Sequence, residues 1–314
     1  MVSCLAAGLS AASAACAQTA ISIDGLVDIG VLRSMEGHTG VGAIQKSHVA
    51  FSGSEPLGAG VSATFALSTR FDPATGTLEF PGKSPLWHGE STVGLKGGLG
   101  AVQFGRRLDI MYANDWRFDP WENFDSVASP AWDLWHYHFP SDPYANNGYP
   151  DYGRLNNGIF YQSPWIQGFA LHLSASPDRR DGRRRARGAA LLYQSDMLAG
   201  MAAHATNSAG HTDAFYGLKA TLASWSLMAA FDRSVANASV AKALTFGVSY
   251  RAGRHTLKAG WGRLDLDGSR ARRMVALGSH YALSARTGLY VDFAHKSFET
   301  GSANVYGVGL AHRF

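Results

Sequence analysis

The chain has 314 residues, of which 36 are glycine, 46% are apolar and 17% are charged, and its formal net charge is +4. Ordinary soluble domains carry about 25% charged residues and about 7% glycine. This composition excludes a disordered or highly charged chain and a coiled coil, and the mild charge gives no footing for nucleic-acid binding. No run of 18 apolar residues occurs, which excludes a transmembrane helix and leaves a membrane protein that crosses with alternating strands.

Residues 1–17 are uncharged, rich in Ala, Leu and Ser, and end Ala15-Cys16-Ala17. They read as a secretory signal peptide cleaved before Gln18, although no Lys or Arg precedes the apolar stretch. Both cysteines, Cys4 and Cys16, fall inside it, so residues 18–314 are expected to form one domain with no disulfide and no thiolate metal site.

From residue 20 onward the pattern has period two. Ile21, Ile23, Val27, Ile29 and Val31 alternate with Ser22, Asp24 and Asp28, and Leu289, Val291 and Phe293 alternate with Tyr290, Asp292 and Ala294. Such alternation places each set on its own face of a sheet. Sixteen strands are predicted, near 20–34, 46–53, 60–71, 88–96, 101–107, 157–163, 168–176, 188–194, 198–206, 213–221, 225–233, 242–251, 255–265, 273–282, 287–296 and 304–314. Short turns are expected at 54–59, 97–100, 163–167, 195–196, 222–224, 252–254 and 283–286, with longer polar connections at the other strand ends. That asymmetry and the even count are those of an outer-membrane β-barrel. The small residues on the second face suit a wet lumen.

The connection over 108–156 stands apart. A structureless link of that length is rare unless it is functional or internally packed. It holds Trp116, Trp121, Phe124, Trp132, Trp135, Tyr144, Tyr149 and Tyr152 together with Asp109, Asp115, Asp119, Glu122, Asp125 and Asp133. The dense basic run over 179–187 reads as a solvated loop, or as a contact for anionic lipid headgroups.

Catalytic signatures are weak. No G-x-S-x-G elbow occurs, the loose G-x-G-x-x-A at Gly58 opens a strand rather than a helix, and the spacing from Gly76 to Lys83 does not fit a phosphate loop. His136 and His138 lack an obvious third ligand and read as ordinary loop histidines, so neither cofactor nor metal is expected.

Four stretches together resemble the Gram-negative general porins of the neisserial and betaproteobacterial type: 47–60 (SHVAFSGSEPLGAG), 93–106 (VGLKGGLGAVQFGR), 156–164 (NNGIFYQSP) and the C-terminal GVGLAHRF ending in Phe314. The likeness extends over residues 18–314. It implies an all-β, sixteen-stranded antiparallel transmembrane barrel, a homotrimer in the outer membrane, contact with lipid and lipopolysaccharide, and a C-terminal signal at Phe314 read by the barrel-assembly machinery. It also implies that the third extracellular loop, here 108–156, folds into the lumen as a constriction. The function implied is passive diffusion of small hydrophilic solutes and ions. A channel preferring sugars or aromatic solutes is the alternative on the same fold, and an outer-membrane enzyme or adhesin the alternative from another class. The chain departs from the pattern in its Trp-rich loop and in its fewer basic residues on the early strands.

With Phe314 facing lipid, phasing the strands turns Asp28, Lys46, His48, Arg70, Lys96, Arg107, His172, Lys219, Asp232, Arg251, Lys258, Asp292 and Lys296 inward. The expected constriction sets the wall cations Lys46, Arg70 and Arg107 against the loop acids Asp115, Asp119, Glu122 and Asp125. Charged groups across a narrow wet gap set selectivity, and the cation excess implies a modest anion preference.

Overall fold

The computed structural model describes residues 20–79, 82–145, 149–178 and 183–314. The expected signal peptide over 1–17 and part of the basic run, 179–182, lie outside the described residues.

The strands are β1 (Ala20–Arg33), β2 (Thr39–Gly42), β3 (His48–Gly58), β4 (Val61–Arg70), β5 (Glu90–Gly97), β6 (Gly100–Leu108), β7 (Arg154–Gln162), β8 (Phe169–Ala175), β9 (Arg187–Gln194), β10 (Leu198–Thr206), β11 (Thr212–Leu222), β12 (Trp225–Ala236), β13 (Ser239–Ala252), β14 (His255–Leu266), β15 (Ser269–Ala282), β16 (Thr287–Phe298) and β17 (Gly301–Arg313). From β3 to β17 each strand pairs antiparallel with the next, and β17 returns to β1 with Leu26 opposite Arg313 and Arg33 opposite Tyr306. The sheet therefore closes, and no edge remains to expose unpaired N–H and C=O groups, which hydrocarbon does not tolerate.

The sequence pattern predicts sixteen strands, and the barrel has sixteen staves, because β2 and β3 are one stave with a break. β2 pairs with Gly30–Arg33 of β1, and β3 pairs with Ala20–Leu26. Side chains replace the ladder across the break. Asp28 Oδ1 accepts from the backbone N–H groups of Ile44 and Gln45, each at 2.8 Å, and the Asp28 N–H donates to Ser47 Oγ at 2.9 Å.

Two expectations about turns are corrected. Residues 54–58 continue β3, and the chain reverses only over 59–60. Three connections expected to be long, after β12, β14 and β16, are two-residue turns. Asp267 and Gly268 have φ of 51° and 87°; positive φ at both central residues is the hairpin geometry that Asp-Gly favours.

One face of the sheet is an exposed apolar band that includes Ile21, Val93, Phe104, Leu171, Leu218, Phe246, Leu277, Val291 and Leu310. Aromatic pairs sit at its short-turn rim, among them Phe169–Tyr193 and Trp225–Tyr250 with ring centroids 4.8 and 4.4 Å apart. Phe314 lies on the same face with Tyr306, Val308 and Leu310, and its backbone exchanges two 3.2 Å hydrogen bonds with Gly25.

The opposite face differs from the expectation of an open wet lining. Over β9 to β15 it is covered by the connection between β6 and β7, and alanines there form a dry core. Ala190, Ala203, Ala230, Ala241 and Ala243 are buried against Ile110, Phe118, Leu134, Trp135 and Phe139 of that connection. A second cluster joins Trp121 and Val127 to Ile44, Met274, Ala276, Tyr290 and Ala294. Small wall residues make the room. A β-carbon at Gly217 would collide with the Phe118 ring, and one at Gly247 would stand 2.5 Å from Pro120. The connection carries a 3-10 turn (Asp115–Phe118) and a short helix, α1 (Pro130–Leu134), started by Pro130 and capped by Ser129 Oγ, which accepts from the Trp132 N–H at 3.1 Å. Among the described residues no helix is long and apolar enough to cross a membrane.

Candidate constriction site

Polar contacts tie the connection to the wall along its length. Trp121 Nε1 donates to Asp292 at 2.6 Å, Trp135 Nε1 to Thr245 Oγ1 at 3.2 Å, and the His138 N–H to Ser234 Oγ at 3.0 Å. Lys296 Nζ meets Asp133 Oδ2 at 2.5 Å and donates to the Ser126 carbonyl at 3.1 Å. His136 is packed between Asp115, Asp213 and Asp232. Of the residues phased inward by the sequence, Asp28, Asp232, Asp292 and Lys296 are fully or almost fully buried. Asp28 holds the strand break, and the other three hold the connection.

A cavity of about 860 Å³ remains between the connection and the wall, lined chiefly from β3 to β7 and also by Leu26 of β1, Arg272 of β15 and Arg313 of β17. Among its described lining residues are seven Lys or Arg, five Asp or Glu, and eight aromatics. Lys46, in the break between β2 and β3, and Arg70, at the end of β4, both line it. Their carboxylate partner is Glu79, on the link between β4 and β5. Lys46 Nζ contacts Glu79 Oε1 directly, and Arg70 and His88 approach Oε2 at 3.6 and 3.5 Å. Burial alone would raise the Glu79 carboxyl, but His88, Lys46 and Arg70 together outweigh it and hold the group well below the usual carboxylate range. Burial lowers the Lys46 ammonium despite Glu79 beside it.

The connection meets these cations chiefly with rings. The Trp132 ring centroid lies 4.4 Å from Lys46 Nζ, and the Phe124 centroid 5.6 Å from the Arg70 guanidinium carbon. Both are within cation–π range. Tyr149 faces Lys83 at 4.5 Å in the same way.

The loop acids separate into two groups. Asp115 and Glu122 line the cavity. Asp115 Oδ2 accepts from His136 Nε2 at 3.1 Å and from Asn123 Nδ2 at 3.0 Å, while Glu122 stands at a positive φ of 61°. Asp119 and Asp125 do not reach the wall cations. Asp119 Oδ2 accepts from the Trp121 and Asn123 N–H groups and from Ser129 Oγ. Asp125 Oδ1 accepts from the Val127 and Ala128 N–H groups at 2.8 and 2.7 Å. Each folds the connection on itself, and burial pushes Asp119 up to about 6 and Asp125 up to about 8, the latter helped by the Asp292 charge.

Arg107 is not brought to Lys46 and Arg70. It pairs with Glu90 at 3.7 Å and lines a separate small space with Ile110 and His172. Its neighbour Arg106 lines the main cavity and donates to Asp151 Oδ2 at 2.5 Å, to Asn156 Oδ1 at 2.7 Å and to the His88 carbonyl at 2.8 Å. The cause is a bulge between Gly105 and Arg107, which shifts the register there. A bulge of this kind re-aims a side chain. Glu79 and Arg106 are the residues that strand phasing misses. The Gly105-Arg106-Arg107 triplet carries a signal, since glycine inside a strand marks a bulge; Glu79 carries none.

A Gram-negative porin family model matches residues 3–301. The chain belongs to the Gram-negative porin family. The porin is an outer-membrane β-barrel channel for passive diffusion of small solutes, consistent with its closed barrel and lined cavity. Among curated protein sequences no match was found. Among solved structures, the anion-selective porin from Comamonas acidovorans is similar at 19% identity, with a TM-score of 0.79, over 95% of this chain and all of that one. OmpF of Salmonella typhi, solved in complex with daunomycin, is 14% identical with a TM-score of 0.70, over 94% and 97% of the two chains. A loop-deletion mutant of OmpT, an outer membrane protein of Vibrio cholerae, is 12% identical with a TM-score of 0.70, over 94% and 99%. At these identities the likeness is one of fold.

Proposed function

We propose that the 108–156 connection lies within the barrel and is the constriction of this porin, which works as a homotrimer with a modest preference for small anions. The observation that carries the reading is the cavity itself. The connection packs on alanines of the wall, and the cavity beside it is lined by Lys46, Arg70 and Arg106 of the wall and by Trp132, Phe124, Asp115 and Glu122 of the connection. Seven basic residues against five acidic ones leave a small positive excess, and charge lining a pore sets its ion preference. Glu79 and Asp151 neutralise much of it, so the preference is modest. Purified porin in planar bilayers under a salt gradient gives the test. A reversal potential showing weak anion selectivity is expected, and clear cation selectivity at neutral pH contradicts the reading.

The rings facing Lys46, Arg70 and Lys83 favour a second reading, a channel that prefers aromatic carboxylates. Such solutes offer a charge to the ammonium or guanidinium and a ring to Trp132 or Phe124. Benzoate should then interrupt the current more than acetate at equal concentration, and equal block leaves only general diffusion.

Phe314 at the lipid-facing end of β17 supports recognition by the assembly machinery, and the apolar band supports contact with lipid and lipopolysaccharide.

A further inference from the structure

One cluster away from the cavity's basic wall has the composition and layout of a metal centre. His136 comes from the connection just after α1, Asp213 from β11 and Asp232 from β12, and none is more than 1% exposed. His136 Nδ1 lies 2.6 Å from Asp213 Oδ2 and 3.1 Å from Asp232 Oδ2, while Nε2 lies 3.1 Å from Asp115 Oδ2.

The hydrogens of the ring alone do not satisfy the carboxylates around it. Two carboxylates converge on one ring nitrogen, which carries at most one hydrogen. If that hydrogen goes to Asp213, the nearer acceptor, Asp232 Oδ2 is left facing the ring without a donor. Among the described residues Asp232 Oδ2, Asp213 Oδ1 and Asp115 Oδ1 are buried with no hydrogen-bond partner. Unless a carboxyl keeps its proton, even a charged imidazole leaves three carboxylates against one positive charge at the buried margin of the cavity. Buried charge of that kind is normally paired or bound to a metal.

We propose that His136 Nδ1, Asp213 and Asp232 hold a divalent cation of the zinc type, which staples the connection to the barrel wall. Imidazole with two carboxylates is a three-ligand donor set of that class, which leaves the fourth position open. The remaining ring nitrogen then donates Nε2–H to Asp115, the outer carboxylate that orients a metal-bound histidine and fixes its tautomer. Tetrahedral zinc sets neighbouring ligand atoms about 3.3 Å apart. The Asp232 contact, at 3.1 Å, is close to that, and the Asp213 contact, at 2.6 Å, needs to open by about 0.7 Å, within reach of small side-chain rotations. One ligand on the connection and two on adjacent strands make the ion a cross-link between the constriction and the wall. The site stands on its own geometry and does not depend on which solutes pass.

The test uses the full porin extracted from membranes in detergent without chelator, with metal content read by mass spectrometry and thermal unfolding read by circular dichroism. We expect one zinc per folded chain, as purified or after refolding with zinc, and a thermal midpoint that falls on chelation. His136→Gln and Asp232→Asn should lose the ion. Asp292→Ala, which removes the Trp121 anchor of the same connection but no ligand, should keep it, which separates loss of a ligand from a loosened loop. Asp115→Asn should bind zinc 10- to 100-fold more weakly, the usual cost of losing an outer carboxylate. Well-folded protein that takes up no zinc even on refolding with it, or zinc retained in both His136→Gln and Asp232→Asn, overturns the proposal and leaves a proton-bridged cluster.

Discussion

At the scale of single residues, the lining is governed by what neutralises the wall cations. Glu79 is shared by Lys46, Arg70 and His88, so converting it to glutamine removes one negative charge beside two cations at once. Glu79→Gln should shift the reversal potential toward stronger anion selectivity, and Lys46→Gln should shift it the other way; an unchanged potential in both would place the selective ring elsewhere. The buried acids of the connection make a separate statement about pH. An unfolded aspartate titrates near 3.9, whereas Asp109 and Asp119 are raised by burial to about 6 and Asp125 to about 8. Between those values the folded chain holds protons that the unfolded chain has released, so stability falls as pH rises. The loss runs from about 4 to about 6 for Asp109 and Asp119 and continues to about 8 for Asp125, with no contribution below 4. These acids therefore oppose stability as pH rises, and Asp125→Asn, which can keep the acceptor for Val127 and Ala128, should gain thermal midpoint relative to the native protein as pH rises toward 8. A difference between the two proteins that does not change with pH contradicts the assignment. None of these partners is legible in the sequence. The phasing that turns Lys46 and Arg70 inward follows from period two, but Glu79 reaches them from a loop with no period, and Arg106 replaces Arg107 because of one bulge.

At the scale of elements, the sequence reports the staves well and the connection poorly, for a physical reason. Alternation is a local consequence of burying one face in lipid, so fifteen predicted strands fall close to those observed, and the sixteenth, β3, runs five residues further into its turn. β2 escapes because Thr39-Gly40-Val41-Gly42 has too little apolar contrast to alternate. The connection is held by contacts between residues far apart in the chain, such as Trp121 and Asp292, 171 positions apart. The small residues of the second face do contain the clue. Rather than lining water, Ala190, Ala230, Ala241 and Gly217 accept the rings and aliphatic groups of the connection. The same packing predicts how the element fails. Phe118 is 2% exposed against Phe215 and Gly217, and removing a ring of that kind from a core costs about 3–5 kcal/mol. Phe118→Ala should leave the barrel intact but loosen the connection, seen as noisier single-channel current. Deleting residues 115–133 should raise conductance and admit larger solutes. It should also lower thermal stability, since it strips the cover from the alanine core. Unchanged conductance and exclusion size in a folded deletion protein would place the constriction elsewhere.

At the scale of the whole molecule, stability rests on closure, and closure depends on the seam between β17 and β1. β17 has only β16 until it meets β1, and until then both strands present open edges. Such edges are costly in hydrocarbon because each unpaired backbone group goes unsatisfied. Phe314 acts where that seam is finished. Its N–H and C=O exchange hydrogen bonds with Gly25, and its ring lies over Gly25, where a β-carbon would stand 2.6 Å from Phe314 Cζ. The seam thus ends on an aromatic at the membrane-facing rim, packed on a glycine that leaves room for it. None of these contacts touches the cavity lining. Deleting Phe314 should therefore reduce the yield of folded, heat-modifiable porin in the outer membrane while leaving single-channel conductance and reversal potential as in the native protein. Gly25→Val should act in the same direction but less selectively, since a β-carbon there displaces the ring and also stands 2.5 Å from the His48 carbonyl oxygen. Outer-membrane levels equal to the native protein in both variants would show that the seam closes without the Phe314 clasp.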